Sequence, residues 1–348
     1  MTSSRAPADG LYGDVYPASW YAVAPSRGLA RGEIRPLELF GRDFVLYRTR
    51  AGQAHVVGRY CPHQGASFQT GAVRGERLVC PFHHWEYEAG RCVHIPYADR
   101  IPPRAEVERL PVREHLGWLW VFNGDEPTFE LPDLPELHDR VHYGTRALSQ
   151  RFDVHPLLIL ENGCDAQHFK YVHDVQFVSL NIEVQREEPH RFSFRVHQEL
   201  RGLGGGYRLT TEIDYVGPTV IFGRLSFDDR ERARFIAAPL PLARGRTLFH
   251  LVVATRRLPW FLWALEPLWQ SWFARRLFKG STDDYLPIWR FMNTAHRRVL
   301  VADDALQQKY RRFYGDHLPP GTLTPPESAH AAPSESARPV TPPGARPV

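Results

Sequence analysis

Two short strings in the first third of the chain carry metal-binding chemistry. Cys61-Pro62-His63 is followed, after sixteen intervening residues, by Cys80-Pro81-Phe82-His83. Two Cys/His pairs could hold zinc, since Cys₂His₂ sites are common. Zinc fingers, however, usually put both cysteines in one pair and both histidines in the other. Here each pair mixes one of each. A two-iron, two-sulfide cluster with two thiolates on one iron and two imidazoles on the other needs that mixed supply from two loops. Pro62 and Pro81 stiffen the loops, and Gly65 permits a tight turn. The pattern favours the cluster over zinc.

A second constellation runs E-N-G-C-D-A-Q-H-F-K-Y-V-H from Glu161 to His173. On one helix, Glu161, Asp165 and His168 would fall at i, i+4 and i+7 and share a face. His168 and His173 are five residues apart, which is about 500° of rotation and 7.5 Å of rise. Both cannot ligate one metal from a straight helix, so the helix must end or bulge between them. Alone, H-x₄-H is a weak signal, and two partly buried histidines are its commoner meaning. A cluster upstream changes that weighting, because its electrons need a recipient. Cys164 reads as a buried small hydrophobe.

The extended string C-P-H-Q-G-A … C-P-F-H-H-W-E-Y resembles the Rieske family. Respiratory-type Rieske proteins carry an extra disulfide joining the two loops. Here Ala66 follows Gly65, and Phe82 lies between Pro81 and His83, so the resemblance is to the oxygenase and ferredoxin branch. Downstream, Asp165 to His173 resembles the D-x-x-H-x-x-x-x-H iron motif of the Rieske non-haem oxygenases. The resemblance covers residues 16 to 315. It implies a [2Fe–2S] cluster on Cys61, His63, Cys80 and His83. It also implies a mononuclear Fe(2+) on His168, His173 and one downstream carboxylate, which together leave positions open for dioxygen. Asp165 is then a bridge rather than a ligand. It would hydrogen-bond to His168 and to a cluster histidine (His83 by the usual pattern) of a neighbouring subunit, which implies a ring-shaped homotrimer.

Two sites could supply the third ligand. Asp283-Asp284-Tyr285-Leu286-Pro287-Ile288-Trp289 resembles the family's D-x-x-I-W-like helix start, although Asp284 lies one residue further from Ile288 than that pattern has it. Asp303 to Tyr314 resembles the terminal R-R-W-Y helix of the steroid-hydroxylating subgroup, which follows the ligand. That favours Asp284, with Asp283 as the alternative and Asp303-Asp304 as the remaining site. Whichever loses reads as an ordinary helix N-cap. His84 stands where this branch often has glycine and reads as a surface or packing residue. The loop after His83 offers His84 and Trp85 rather than Ser or Tyr, so the cluster potential is expected near the low end of the Rieske range, roughly −150 mV.

The string Ile95-Pro96-Tyr97-Ala98-Asp99-Arg100-Ile101-Pro102-Pro103 looks like the segment after the cluster in 3-ketosteroid 9α-hydroxylase oxygenase components and cholesterol 7-desaturases. That implies the terminal oxygenase component of a Rieske-type monooxygenase acting on a bulky hydrophobic, steroid-like substrate with O₂. Electrons from NAD(P)H would arrive through a separate flavin and iron–sulfur reductase or a ferredoxin, since no G-x-G-x-x-G follows a strand here. An aromatic-ring-hydroxylating dioxygenase alpha subunit is the nearest rival and shares every metal ligand. A Rieske electron carrier would need only the first 125 residues, leaving His168 and His173 unexplained. A lipid-binding module is the third possibility.

The elements that must position these residues fall in two blocks. From Glu33 to about Asn123, short β-rich runs such as Phe44 to Tyr47, His55 to Val57, Arg77 to Val79 and Leu116 to Phe122 alternate with glycine turns. The proline-rich, acidic stretch from Gly124 to Leu137 reads as a linker. Leu157 to His173 reads as a helix, followed by strands near 208–215, 219–227, 233–238 and 247–255, then helices over 258–278 and 285–313. The expected fold is α+β. An N-terminal all-β Rieske [2Fe–2S] domain with its leading segment and linker takes residues 1–145. A C-terminal helix-grip (START-like) catalytic domain with a curved antiparallel sheet takes 146–318. Residues 319–348 hold nine prolines and no aromatic residue and read as a disordered tail.

The composition is compatible with this. The chain has 348 residues, 43% hydrophobic and 24% charged, enough for a large core, and a net charge of +4 too small to argue for nucleic acid. Four cysteines are too few for a disulfide scaffold. No signal peptide or membrane span is evident, so a soluble, cytoplasmic protein is expected. The aromatic run Leu258 to Trp263, with Trp269, Trp272 and Phe273, reads first as core packing or a subunit contact, then as a pocket cover or a membrane-docking surface. The pairs Arg256-Arg257, Arg275-Arg276, Arg297-Arg298 and Arg311-Arg312 read as solvated faces before they read as a dock for an acidic ferredoxin.

Overall fold

The computed structural model describes residues 15–320 and 322, apart from 140, 166, 173–176, 203–204, 244, 283–284 and 293–298. Most of the expected tail lies outside the described residues, as do His173, Asp283, Asp284 and the Arg297-Arg298 pair.

Short alternating runs bounded by turns make the first block a set of small antiparallel sheets. Its strands are β1 (Trp20–Pro25), β2 (Ile34–Leu39), β3 (Arg42–Arg48), β4 (Ala54–Gly58), β5 (Ala72–Arg74), β6 (Arg77–Val79), β7 (Glu86–Glu88), β8 (Arg91–His94), β9 (Arg109–Leu110), β10 (Val112–His115) and β11 (Trp118–Phe122). They pair in the orders β1-β11-β10, β2-β3-β4-β9 and β5-β6-β7-β8. Strand β3 is buried on both faces. Phe44 and Leu46 enter one core, and Val45 and Tyr47 enter another. That second core also holds Cys61, Cys80, Trp85 and Tyr87, so the cluster loops are anchored in packed side chains.

The second block begins after α1 (Pro135–His138), which forms at the end of the expected linker. Next come β12 (Tyr143–Phe152), α2 (Pro156–Asn162), α3 (His168–Tyr171), β13 (Phe177–Glu188), β14 (Arg191–Gly202), β15 (Gly205–Val216), β16 (Val220–Phe227), β17 (Arg230–Ala243) and β18 (Arg246–Arg256). The chain ends with α4 (Glu266–Thr282), α5 (Leu286–Phe291) and α6 (Ala305–Gly315). The seven strands form one antiparallel sheet in the order β12-β18-β17-β16-β15-β14-β13. Register shifts at Val184/Arg186, Leu225/Ser226 and Pro241/Ala243 bend it. One face carries Phe194, Tyr215 and Phe249 and packs on Leu157 and Leu160 of α2 and Tyr310 of α6. The other carries Phe222 and Ile236 and packs on Trp20 and Trp120 of the first block. Ser19 Oγ and Thr219 Oγ1, 2.7 Å apart, join the blocks.

Three helical expectations change. The segment 157–173 is not one helix, because α2 stops at Asn162 and α3 starts at His168. Tyr215 donates its hydroxyl to the Leu160 carbonyl at 2.6 Å, capping the last turn. A Cβ on Gly163 would come 2.5 Å from that hydroxyl, so glycine is what lets the helix end approach β15. Glu161, Asp165 and His168 therefore do not share a helical face. The segment 258–278 opens as a 3₁₀ turn over Trp260–Leu265 before α4. The segment 285–313 divides, α5 ending at Phe291 and α6 starting at Ala305.

Candidate metal centres

The two cluster loops are built alike. Cys61 N donates to Ala66 O, and Gly65 N donates back to Cys61 O, both at 2.9 Å. Cys80 N donates to Trp85 O at 2.9 Å, and His84 N donates back to Cys80 O at 3.2 Å. In each loop the fourth residue after the cysteine is left-handed, Gly65 at φ 74° and His84 at φ 56°. A non-glycine there costs roughly 1–2 kcal/mol, which accounts for glycine being the usual occupant. His84 is exposed.

These loops gather four donors. Cys61 and Cys80 are buried, and their thiols interact with each other. All four cysteines of the chain are free. The rings of His63 and His83 meet edge to face with centroids 4.6 Å apart, and both residues are half-buried. His63 stacks on Trp85 at 4.6 Å, and Trp85 Nε1 donates to Tyr97 Oη at 2.8 Å. Two thiols at depth and two imidazoles nearer the surface are the donor set that a cluster with one Cys₂ iron and one His₂ iron takes. Two further features fit it. Burial pushes the Cys61 thiol up, a cost that coordination as thiolate removes. The buried Nδ1 of His83 has no hydrogen-bond partner among the described residues, which costs about 1–3 kcal/mol unless a metal completes it.

One functional side chain escaped the sequence reasoning. Tyr87 Oη lies 3.2 Å from Cys61 Sγ. The low-potential expectation assumed no hydroxyl at the cluster, and β7 supplies one. The signal was available: Trp85 and Tyr87 alternate at period two, so both point inward where Glu86 and Glu88 do not.

The described residues expected near the second centre lie on α2, α3 and the C-terminal segments. His155 caps α2, its Nδ1 accepting from Leu157 N at 3.2 Å, and Pro156 takes the first helical position. Burial lowers the His155 pKa to about 4. Glu161 is buried and ion-paired to Arg311 of α6 by two contacts, one of them Nη2 to Oε2 at 3.0 Å. Arg311 is therefore committed inward, not to a docking face. Cys164 is buried beside Tyr215, and burial pushes its thiol well up. Asp165 Oδ1 accepts from Gln167 N at 3.0 Å and from His168 N at 3.2 Å. The carboxylate thus holds the start of α3 through the His168 backbone. Its pKa is raised, by burial first, with Asp304 adding to the rise.

His168 is buried, with its ring edge-on to Tyr285 at 5.2 Å. Tyr285 in turn stacks on Trp289 at 4.9 Å. The sequence neighbour of Tyr285 is Asp284. Of the later acidic pair, Asp303 is exposed, and Asp304 accepts from Val301 N at 2.9 Å as the turn ahead of α6. Among the described residues no three His, Cys, Asp or Glu side chains gather around one metal position.

Comparison with known proteins agrees with this geometry. Residues 19–111 match the Rieske [2Fe-2S] domain family, and residues 120–317 match the 3-ketosteroid 9alpha-hydroxylase C-terminal domain family. A cholesterol 7-desaturase of Ciona intestinalis is 27% identical over 86% of this chain and 68% of its own length. The oxygenase component of a 3-ketosteroid-9-alpha-monooxygenase from Mycolicibacterium smegmatis is 24% identical over 88% of this chain and 83% of its own. The crystal structure of dicamba monooxygenase bound to 3,6-dichlorosalicylic acid superposes with a TM-score of 0.70 at 20% identity, covering 86% of this chain and 96% of that one. The two-block fold, the mixed cysteine and histidine loops and the match over both blocks make this chain a Rieske non-haem iron oxygenase, with the catalytic domain of the 3-ketosteroid 9α-hydroxylase family, whose cofactors are a [2Fe–2S] cluster and a catalytic iron.

Proposed function

We propose that this protein is the terminal oxygenase component of a monooxygenase for a bulky, steroid-like substrate. A separate NAD(P)H-dependent flavin and iron–sulfur reductase, or a ferredoxin, would supply its electrons. The observation that carries this is the match of residues 120–317 to the 3-ketosteroid 9alpha-hydroxylase C-terminal domain. Relatives named for a steroid and for a sterol support the substrate class.

Cys61 and Cys80 would hold one cluster iron, and His63 and His83 the other. His168, His173 and Asp284, with Asp283 as the alternative, would hold the catalytic iron. When bound, the cluster relays single electrons and the mononuclear iron uses them to activate dioxygen against a C–H bond. The chain's own part is placement. Trp85 stacks on the His63 ring and fixes its plane. Tyr285 packs on the His168 ring, and Asp284 is its neighbour in the sequence, which supports the Asp283-Asp284 choice. Asp165 pins the first turn of α3. In a homotrimer it would also meet a cluster histidine of the neighbouring subunit. The domain boundary near residue 145 and a tail from residue 319 belong to the same proposal.

The test is iron and acid-labile sulfide on anaerobically purified protein, followed by oxygen uptake with ketosteroids, sterols and aromatic acids. About three irons to two sulfides per chain, with steroid-dependent uptake, is the expected result. Two irons to two sulfides, persisting after Fe(II) is added, would remove the oxygenase assignment of the second centre. Uptake with aromatic acids alone, or a co-purifying small β subunit, would move the chain to the ring dioxygenases.

A further inference from the structure

An ordinary surface helix buries its apolar stripe and shows its polar one. The first turns of helix α4 instead bury polar Glu266 and half-bury Gln270, alongside Phe273 and Ala274, and show apolar side chains outward. Glu266 is buried, paired to Arg257 at 2.7 Å and bonded to Gln270 Nε2 at 2.8 Å. Gln270 lies so close over β12 that a Cβ on Gly144 would fall 1.6 Å from its Nε2. Glu266, Gln270 and Ala274 thus form the inward stripe, at i, i+4 and i+8. The outward stripe is Leu265, Leu268, Trp269 and Trp272, with Leu268 69% and Trp272 58% exposed. The 3₁₀ turn ahead of α4 buries none of its residues and leaves Trp260 78% and Phe261 66% exposed. Core packing holds for Phe273 but not for Trp260, Phe261, Trp263, Trp269 and Trp272, which are exposed. Single exposed apolar side chains are ordinary, but a contiguous set on one turn and one helix face marks an interaction surface.

The charges beside it identify the partner. From Arg256 to Arg276 the only carboxylate is Glu266, which faces inward and is already paired. Arg256 and Arg275 are exposed at the two ends of the stretch. The stretch therefore offers indole, phenyl and leucyl groups bracketed by cations, and its single carboxylate is turned inward. A second copy meeting it about a twofold axis would bring arginine against arginine, and in a ring trimer the face would have to meet a different, acidic face of the neighbour. Lipid phosphates supply the missing acceptors, and the headgroup layer is where tryptophan rings sit.

We propose that this face docks on the surface of an anionic phospholipid bilayer, the enzyme lying on the membrane with Trp260, Phe261, Trp269 and Trp272 at headgroup depth and Arg256 and Arg275 on lipid phosphates. Among the described residues no helix is long and apolar enough to cross a membrane, so the attachment is peripheral. The inference is independent of the substrate proposed above.

The test is co-sedimentation of the full-length, iron-loaded enzyme with phosphatidylcholine vesicles, with and without phosphatidylglycerol. Partitioning should be about tenfold stronger on the anionic vesicles and fall with added salt. Trp260→Ser, Phe261→Ser and Trp272→Ser together should abolish it. Arg256→Gln with Arg275→Gln should remove the preference for phosphatidylglycerol, and this pair remains informative should the aromatic variant not fold. No binding to anionic vesicles, or binding unaltered by both variants, overturns the proposal. So does a fall in the mass of the assembly with the aromatic variant, which would show that a second copy of the chain covers the face.

Discussion

The two metal centres are held in opposite ways. The cluster loops close largely on themselves, through backbone hydrogen bonds four or five residues apart and side-chain contacts such as Trp85 to Tyr97, His63 to Trp85 and Tyr87 to Cys61, at separations of 12, 22 and 26. The catalytic side is held by partners far along the chain. Glu161 meets Arg311 at a separation of 150, Leu160 is capped by Tyr215 at 55, and Ser149 meets His250 at 101. A locally closed site can be specified by a short string. A site closed by distant partners depends on the whole sheet being in register, and damage to it spreads into stability.

The largest expected effect separates the centres outright. Cys80→Ser should abolish the visible absorption of the cluster and lower bound iron by about two per chain. His168→Ala should lower it by about one and leave that absorption in place. Metal analysis and absorption spectra on both variants check this, and loss of all iron from either would mean that the centres are not independent.

Breaking the long-range hold is next. Glu161→Ala leaves the Arg311 guanidinium facing a buried, unpaired position and should cost about 3–5 kcal/mol of unfolding free energy, measured by urea denaturation. A cost under about 1 kcal/mol would match a surface pair instead.

Acid should weaken the second block, where His155 and His250 are buried. Burial lowers the pKa of His155 and of His250 to about 4. Their folded pKa values lie below the unfolded value of about 6.5, so the unfolded chain binds more protons between those limits. The stability from these neutral histidines is complete above about pH 6.5 and is lost as pH falls toward 4, at about 3 kcal/mol per group in the limit. Urea titrations at pH 7 and pH 5 should show it, and His250→Gln should flatten the difference. An unchanged slope would assign the acid sensitivity to other groups.

The smallest effect tests the local centre. Tyr87→Phe removes the hydroxyl at Cys61 Sγ. If that hydrogen bond favours the reduced cluster by about 1.4 kcal/mol, the midpoint should fall by about 59 mV with the iron content unchanged. A potentiometric titration reads it, and an unmoved midpoint would make Tyr87 only a packing residue.

Legibility in the sequence follows the same division. Cys61, His63, Cys80 and His83 could be picked out because the spacing of donors within a loop is written directly in the chain. The strands β3, β4, β6 and β11 stood out because apolar runs and glycine turns are local. The helical segment 157–173 was misjudged because its break is enforced by the Tyr215 hydroxyl, from a strand more than fifty residues downstream. Tyr87 is not marked by donor spacing within the loop, because it lies on the strand that follows. The role of the aromatic run 258–273 was not legible because hydrophobic composition does not say which stripe faces in. That depends on Glu266 and Gln270 finding Arg257 and Gly144 inside.

By itself, then, the sequence determined the donor types, their local spacing and the division into an all-β block and a sheet-and-helix block, since side-chain chemistry and hydrophobic period are properties of neighbours along the chain. Only the tertiary structure decided that Arg311 neutralises Glu161, that Tyr215 ends α2, that Tyr87 reaches the Cys61 sulfur and that α4 shows its tryptophans to solvent. These contacts form only when segments far apart in sequence are brought together, where burial makes each polar group find a partner.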